Sequence, residues 1–258
     1  MQWIIAHTEI FFPLLLVTLL LVVELGVRAR RASPNLDVER QSLFESARDG
    51  LSVLLSFLLG FSLPMALPHY EQRSQLVIDE ANAIGTVHQR AQMLPEPFRE
   101  RILKSLREYV DTRIDFSQQV NEKDVLASVG EARKIQDEMW QESVPLVQQQ
   151  PNAVTPLFVQ ALGQLSDLIE SRLAAYEKRV PMAIWLVLFL MSALTCFVVG
   201  YSMKQRLVLA MLVVPLTVAI VLSLVSELDN PRTGFVNVGQ QSMERLAAEL
   251  RTEAGAGR

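Results

Sequence analysis

The sequence predicts an all-α membrane protein: four transmembrane helices, with a helical extramembrane bundle inserted between the second and the third. Three observations carry this. Half of the 258 residues are hydrophobic and mean hydropathy is +0.23, yet 20% are charged; apolar spans joined to a water-exposed part give that mixture. The apolar residues gather into four runs, and three of these meet the roughly 20 residues that a helix needs to cross the hydrocarbon. The intervening residues 69–180 carry 3.6-residue apolar periodicity and few strand signals.

The first run, residues 3–27, has an uncharged core from Ile10 to Val23. It lacks a basic stretch before it and a small-residue cleavage site after it, so it reads as a retained anchor rather than a signal peptide. The second, residues 51–67, is short and is expected to sit among other helices or in a thin part of the bilayer. The third and fourth, residues 183–203 and 207–225, are joined by only Lys204, Gln205 and Arg206. That link predicts an antiparallel hairpin, and Pro215 predicts a kink in the fourth helix. The chain thus divides into a first hairpin (1–68), a bundle (69–180), a second hairpin (181–226) and a trailing part (227–258).

In the bundle, a helix over 71–93 is expected to stop at Pro95 and Pro97. A second, over 98–116, has Phe98, Ile102, Leu106, Tyr109 and Val110 on one face. A third, over 124–141, aligns Val125, Val129, Ala132, Ile135 and Met139. Residues 144–156, "VPLVQQQPNAVTP", read as a linker. A fourth helix over 156–180 is expected to use Thr155 as N-cap and Pro156 in its first turn, with a stripe of Leu162, Leu165, Leu168, Ile169, Leu173 and Tyr176. After a loop holding Pro231 and Gly234, Ser242 is expected to cap a last amphipathic helix with Met243, Leu246, Ala247 and Leu250 on one face. The closing "GAGR" is expected to be disordered.

Several functions are disfavoured by composition. The formal net charge is −4, where a nucleic-acid binder would show a basic surface. The single cysteine, Cys196, lies in an apolar run, so no disulfide within the chain and no cysteine zinc site is expected. Its natural reading is a small buried apolar residue. No HExxH, P-loop, EF-hand or glycine-rich dinucleotide turn is present, and the carboxylates lack a nucleophile–base pair or metal-ligand spacing. No enzyme, cofactor or metal site is therefore expected.

Three stretches stand out. Glu24 lies at membrane depth, a place where an acid needs a reason; Arg28 one turn on offers an interfacial ion pair. Residues 70–90 form a dense polar stretch in which Glu71, Arg73, Glu80, Asn82 and Arg90 suit either an ion vestibule or a helix–helix polar network. Within it Gly85 favours a close helix approach. In the second run, Val53, Phe57 and Phe61 repeat every four residues, and beside them Ser52, Ser56 and Gly60 do the same. Small rows let membrane helices approach closely. A helix packed along its small row would turn the apolar row toward the axis of a ring of subunits; the plainer reading is an apolar ridge against lipid or other helices.

The "SFLLGF" at Ser56–Phe61 resembles the "SFVLGF" signature in the second membrane helix of bestrophins, the oligomeric anion channels. More of the chain resembles a bacterial bestrophin-like family, through "FLLGFSLPMA", "YEQR", "EANAIGT" and "LDNPRTG". That resemblance implies a homo-oligomeric ion channel, anions favoured, with Val53, Phe57 and Phe61 in the pore neck. It also implies self-association as a pentamer, small ions such as chloride as cargo, and a multi-pass place in the bacterial inner membrane. The sequence departs from bestrophins at Pro64 and Pro68, at "HYEQR" where they carry "RWW", and in lacking an acidic calcium clasp. Loop charges favour both termini and the bundle outside, whereas the bestrophin resemblance implies that they face the cytoplasm. A membrane-anchored sensor or scaffold, its bundle binding a ligand or partner, is the alternative reading.

Overall fold

The computed structural model describes residues 8–32, 38–118, 122–149, 153–203, 208–230, 236 and 238–256. The described residues form eight helices: α1 Thr8–Ala32, α2 Val38–Ala91, α3 Phe98–Gln118, α4 Glu122–Gln149, α5 Val154–Glu177, α6 Met182–Ser202, α7 Val208–Asp229 and α8 Gln241–Ala256. Expectations placed on Trp3, on the 204–206 link, on Pro231 and Gly234, and on the last two residues of the chain lie outside these residues.

The chain divides into two units, Met1–Tyr70 with Arg179–Val236, and Glu71–Lys178 with Asn237–Arg258. In the first unit the helices are apolar on both sides. Phe11, Leu15, Leu19 and Val23 of α1 are buried against Trp185, Leu188 and Cys196 of α6 and against Val218, Leu222 and Val225 of α7. Phe11 meets Trp185 edge to face at 6.0 Å between centroids, a favoured aromatic geometry. The opposite faces expose equally apolar residues, among them Leu14, Val17, Leu21 and Leu25 on α1 and Leu186 and Leu190 on α6. A helix that is apolar all round needs an apolar solvent. Four helices are long and apolar enough to cross a membrane, and each keeps its backbone bonds to itself, as a bilayer demands.

Two glycines set the spacing in this unit. A Cβ on Gly26 of α1 would stand 2.2 Å from the Phe197 carbonyl oxygen, and one on Gly200 of α6 would stand 2.1 Å from that of Val23. Only a missing side chain at both positions permits this backbone contact.

The second unit has a conventional interior. Ile84 and Val87 of α2, Ile102 and Leu106 of α3, Val129 and Met139 of α4, and Leu162, Leu165 and Ile169 of α5 fill it. The exposed faces here are mostly charged and polar, with scattered apolar residues such as Leu126, Trp140 and Val144, so water is the natural solvent. The last helix, α8, joins this unit by packing Met243, Ala247 and Leu250 on α3.

Several local expectations are corrected. α2 runs unbroken from 38 to 91, through Pro64 and Pro68, where a membrane helix and a separate bundle helix were expected. A proline removes one backbone bond and crowds the previous turn, but neighbouring hydrogen bonds carry the helix on. The span 51–67 is not enclosed by the chain's other helices, since much of its surface is exposed. Residues 144–149 are the last turns of α4, with Pro145 inside it, rather than linker. α5 starts at Val154 because Ala153 already has helical dihedrals, so Thr155 is a buried first-turn residue and not the N-cap. Ser242 likewise lies inside α8, which begins at Gln241 and continues through Gly255 to Ala256. A Cβ on Gly85 would stand 3.9 Å from a Leu246 methyl, an ordinary contact, so no close approach depends on the glycine.

Candidate functional site

Two features have the density to carry function, one in each unit. The first is the outer surface of α2. Leu55, Leu59, Ser62 and Ala66, spaced four, three and four residues apart, turn inward and are buried. The helical period therefore turns Val53, Phe57 and Phe61 outward, at 71%, 59% and 54% exposure. The rings of Phe57 and Phe61 lie on each other at 4.5 Å between centroids, which makes one continuous aromatic ridge. Ser52, Ser56 and Gly60 line its flank. Ser56 donates its hydroxyl to the Ser52 carbonyl at 2.8 Å, so it asks for no partner. A Cβ on Gly60 would meet nothing within 4 Å. Ser56 and Gly60 are exposed, so the small row is an open groove beside an apolar ridge, with no described residue within 4 Å of a Cβ at Gly60.

The second feature is centred on Glu80 in the bundle. Its side chain has no exposure. Arg113 of α3 reaches it with two bonds, Nε to Oε1 at 2.7 Å and Nη2 to Oε2 at 3.2 Å. Tyr109 donates its hydroxyl to Oε1 at 2.5 Å, and Arg172 of α5 bonds Oε2. One carboxylate thus ties three helices together. Burial pushes the Glu80 carboxyl up, but the guanidiniums of Arg172 and Arg113 outweigh it and hold it at about 2. Burial, and then the Glu80 charge, push the Tyr109 hydroxyl well above its ordinary value. Both groups keep one protonation state across ordinary pH, which suits a rivet rather than an acid–base catalyst.

The structure divides the residues singled out in the 70–90 stretch. Arg73 is buried, 6% exposed, in the bundle with Glu80. Arg90 is half-buried and donates to the Leu157 carbonyl of α5. Glu71 and Asn82 are exposed. Glu24 accepts from Arg28 Nε at 2.9 Å on the outer face of α1. Cys196 is fully buried. Among the described residues no three His, Cys, Asp or Glu gather in a way that suits a metal.

Three parts of these features are not evident from the sequence. Arg113 and Arg172 lie on different helices from Glu80, and Tyr109 counted there only as part of an apolar stripe. An arginine on the buried side of an amphipathic helix was the available signal. The third part is in the first unit, where Asp229 closes α7. Its Oδ1 accepts the Val180 backbone N–H at 2.9 Å and lies 3.1 Å from His69 Nδ1, while Arg179 donates to its carbonyl at 3.1 Å. Asp229 thereby fixes the end of α7 to α2 and to the start of α6.

The family model that matches the chain is the bestrophin-like domain, over residues 12–243. No curated protein matches the chain in sequence. Among solved structures, a mutant of a bacterial bestrophin homolog from Klebsiella pneumoniae superposes with a TM-score of 0.67 at 17% identity, covering 95% of this chain and 99% of that one. A further structure of the Klebsiella pneumoniae homolog gives a TM-score of 0.65 at 15% identity, covering 94% and 98%. At such identities the likeness shows a shared fold. With the family match across most of its length and four helices able to span a bilayer, the chain belongs to the bestrophin-like family and is a multi-pass membrane protein.

Proposed function

We propose that this protein is a homo-oligomeric ion pore of the bacterial inner membrane, anions favoured, with α2 facing the central axis. The observation that carries the reading is the exposed ridge of Val53, Phe57 and Phe61 beside the open row of Ser52, Ser56 and Gly60. If α2 of a second copy seats in the small row, the ridge turns toward the ring's axis. A ring of such ridges is a narrow apolar throat. Water leaves a throat of that kind readily, and an ion must then shed its hydration to pass, so small changes in width gate conduction. The apolar ring has no preference for either sign of charge. Chloride as cargo and five subunits as the ring size rest on the resemblance of "SFLLGF" to the bestrophin signature.

Cysteine cross-linking tests the arrangement. With the one native cysteine replaced by alanine, a cysteine at Phe57 in a membrane preparation is expected to form disulfide dimers. A cysteine at Leu21, on the outer face of α1, is expected to stay monomeric. Dimers at neither position, or dimers through exposed bundle positions instead, would favour a membrane-anchored sensor or scaffold.

A further inference from the structure

We propose that the boundary end of the first unit holds a site for the phosphodiester headgroup of a membrane phospholipid, with Arg30 as its anion-binding group. Arg30 closes α1, just past the apolar run. It lines a shallow, open surface hollow together with Phe44 and Glu45 of α2 and Tyr201 and Ser202 of α6. All three helices have their membrane-boundary ends here, the depth at which headgroups lie.

The walls are aromatic. Phe44 packs on Tyr201 at 4.5 Å, and Tyr201 stacks on Phe197 at 6.3 Å. The Arg30 guanidinium stands over the Tyr201 ring, 5.9 Å from its centroid. The side chain is half-buried there, and the face of a ring is at most a weak hydrogen-bond acceptor. The neighbouring arginines differ. Arg28 is paired with Glu24 and Arg48 with Asp49, whereas Arg30 has no acid partner among the described residues. Glu45 is itself engaged within the chain. Ser202 donates to the Val198 carbonyl at 2.9 Å, which leaves its lone pairs rather than its proton free, so it adds no second donor for an anion.

A half-desolvated guanidinium with no acid partner among the described residues suits an anion that presents two oxygens, and the two non-bridging oxygens of a phosphodiester match its fork. Basic pockets between membrane helices take anionic headgroups for this reason. Tyrosine at this depth is the usual interfacial anchor, apolar at one end and wet at the other. On α6 the exposed Leu190 and Leu194 stand on the same side of the helix as Tyr201 and continue toward the hydrocarbon, where acyl chains lie. A soluble phosphate would gain only the guanidinium; a phospholipid gains both.

Native mass spectrometry of the purified full-length protein tests this. Phosphatidylglycerol is added to the wild type, Arg30→Ala, Arg30→Lys and Arg31→Ala, the last removing the same charge from an exposed neighbouring position. The wild type and Arg31→Ala are expected to retain one lipid per chain at concentrations where Arg30→Ala needs about tenfold more lipid. Arg30→Lys, which keeps the charge and the fold but loses the fork, is expected to fall between them. Diacylglycerol, which lacks phosphate, should bind all four equally poorly. Equal retention by the wild type and Arg30→Lys and Arg30→Ala would overturn the site. Displacement of the bound lipid by millimolar inorganic phosphate would overturn the lipid as its source. A uniform drop in Arg30→Ala and Arg31→Ala would reduce it to general surface charge.

Discussion

Gly200 of α6 lies on the backbone of Val23 of α1: a Cβ at Gly200 would stand 2.1 Å from the Val23 carbonyl oxygen. In hydrocarbon there is no hydrophobic gain in joining two apolar helices, so close van der Waals contact has to hold them. Gly26 makes the reciprocal contact one turn along α1, and the pair lets the two helices touch backbone to backbone.

Replacing Gly200 with alanine therefore has to push α6 off α1, because the obstacle is backbone and cannot rotate away. We expect a loss of about 1–3 kcal/mol or more, read as a lower melting temperature in detergent. Gly60→Ala gives the contrast. Nothing lies within 4 Å of its added methyl, so no loss of stability is expected and alanine's better helix propensity should raise the melting temperature slightly; an effect on the proposed ring should appear in particle size on a sizing column.

Removing the charge at Glu80 strands two buried guanidiniums. Glu80→Gln is expected to destabilise the bundle by about 3–5 kcal/mol. Tyr109→Phe, which deletes one hydrogen bond to a charged acceptor, should cost about 1.5–3 kcal/mol. Thermal unfolding followed by circular dichroism separates the two. Arginine hydrogen-exchange protection on α3 and α5 should fall in the first variant and hold in the second.

The same carboxylate sets an acid limit. Its folded value, about 2, lies below the ordinary carboxyl value of 4.5, so the protonated form is the one the fold disfavours. Its contribution to stability is fully present above pH 4.5 and is lost as pH falls through the range from 4.5 to about 2. A melting-temperature profile of the wild type should drop across that window, and the drop should be shallower in Glu80→Gln.

Asp229 is expected to matter for a different reason. Its Oδ1 satisfies the buried Val180 N–H. Asp229→Ala leaves that donor without a partner and should cost about 1–3 kcal/mol. Asp229→Asn keeps an acceptor oxygen in place and should cost less. Parallel melts of the two variants check this order.

The membrane helices were legible because runs of uncharged apolar residues have few other uses, and the bundle helices because their stripes keep a 3.6-residue period. The break between the second membrane helix and the bundle was misread. Pro64 and Pro68 look like stops in sequence, yet the helix continues through them, since the cost of a lost bond is local and the flanking turns repay it. Boundary residues such as Thr155 and Ser242 were misplaced for the reverse reason: a good cap in sequence becomes a first-turn residue when the preceding residue is already helical. The Glu80 network was half legible. The stretch that holds the acid stood out, but Arg113 and Arg172 come from distant helices, and only the packing brings them to it. Gly26 and Gly200 look like any other glycine in an apolar run, because a close crossing depends on which two helices meet.

The exposed ridge on α2 is proposed above as the throat of a pore. Chloride flux into liposomes holding the purified protein, beside Phe57→Ala and Phe61→Ala, tests it most directly. Truncating either ring is expected to widen the apolar throat and raise flux roughly tenfold, the change that about 1.4 kcal/mol off a barrier brings. Flux that is absent in all three folded proteins, or present and unchanged by both substitutions, would contradict it.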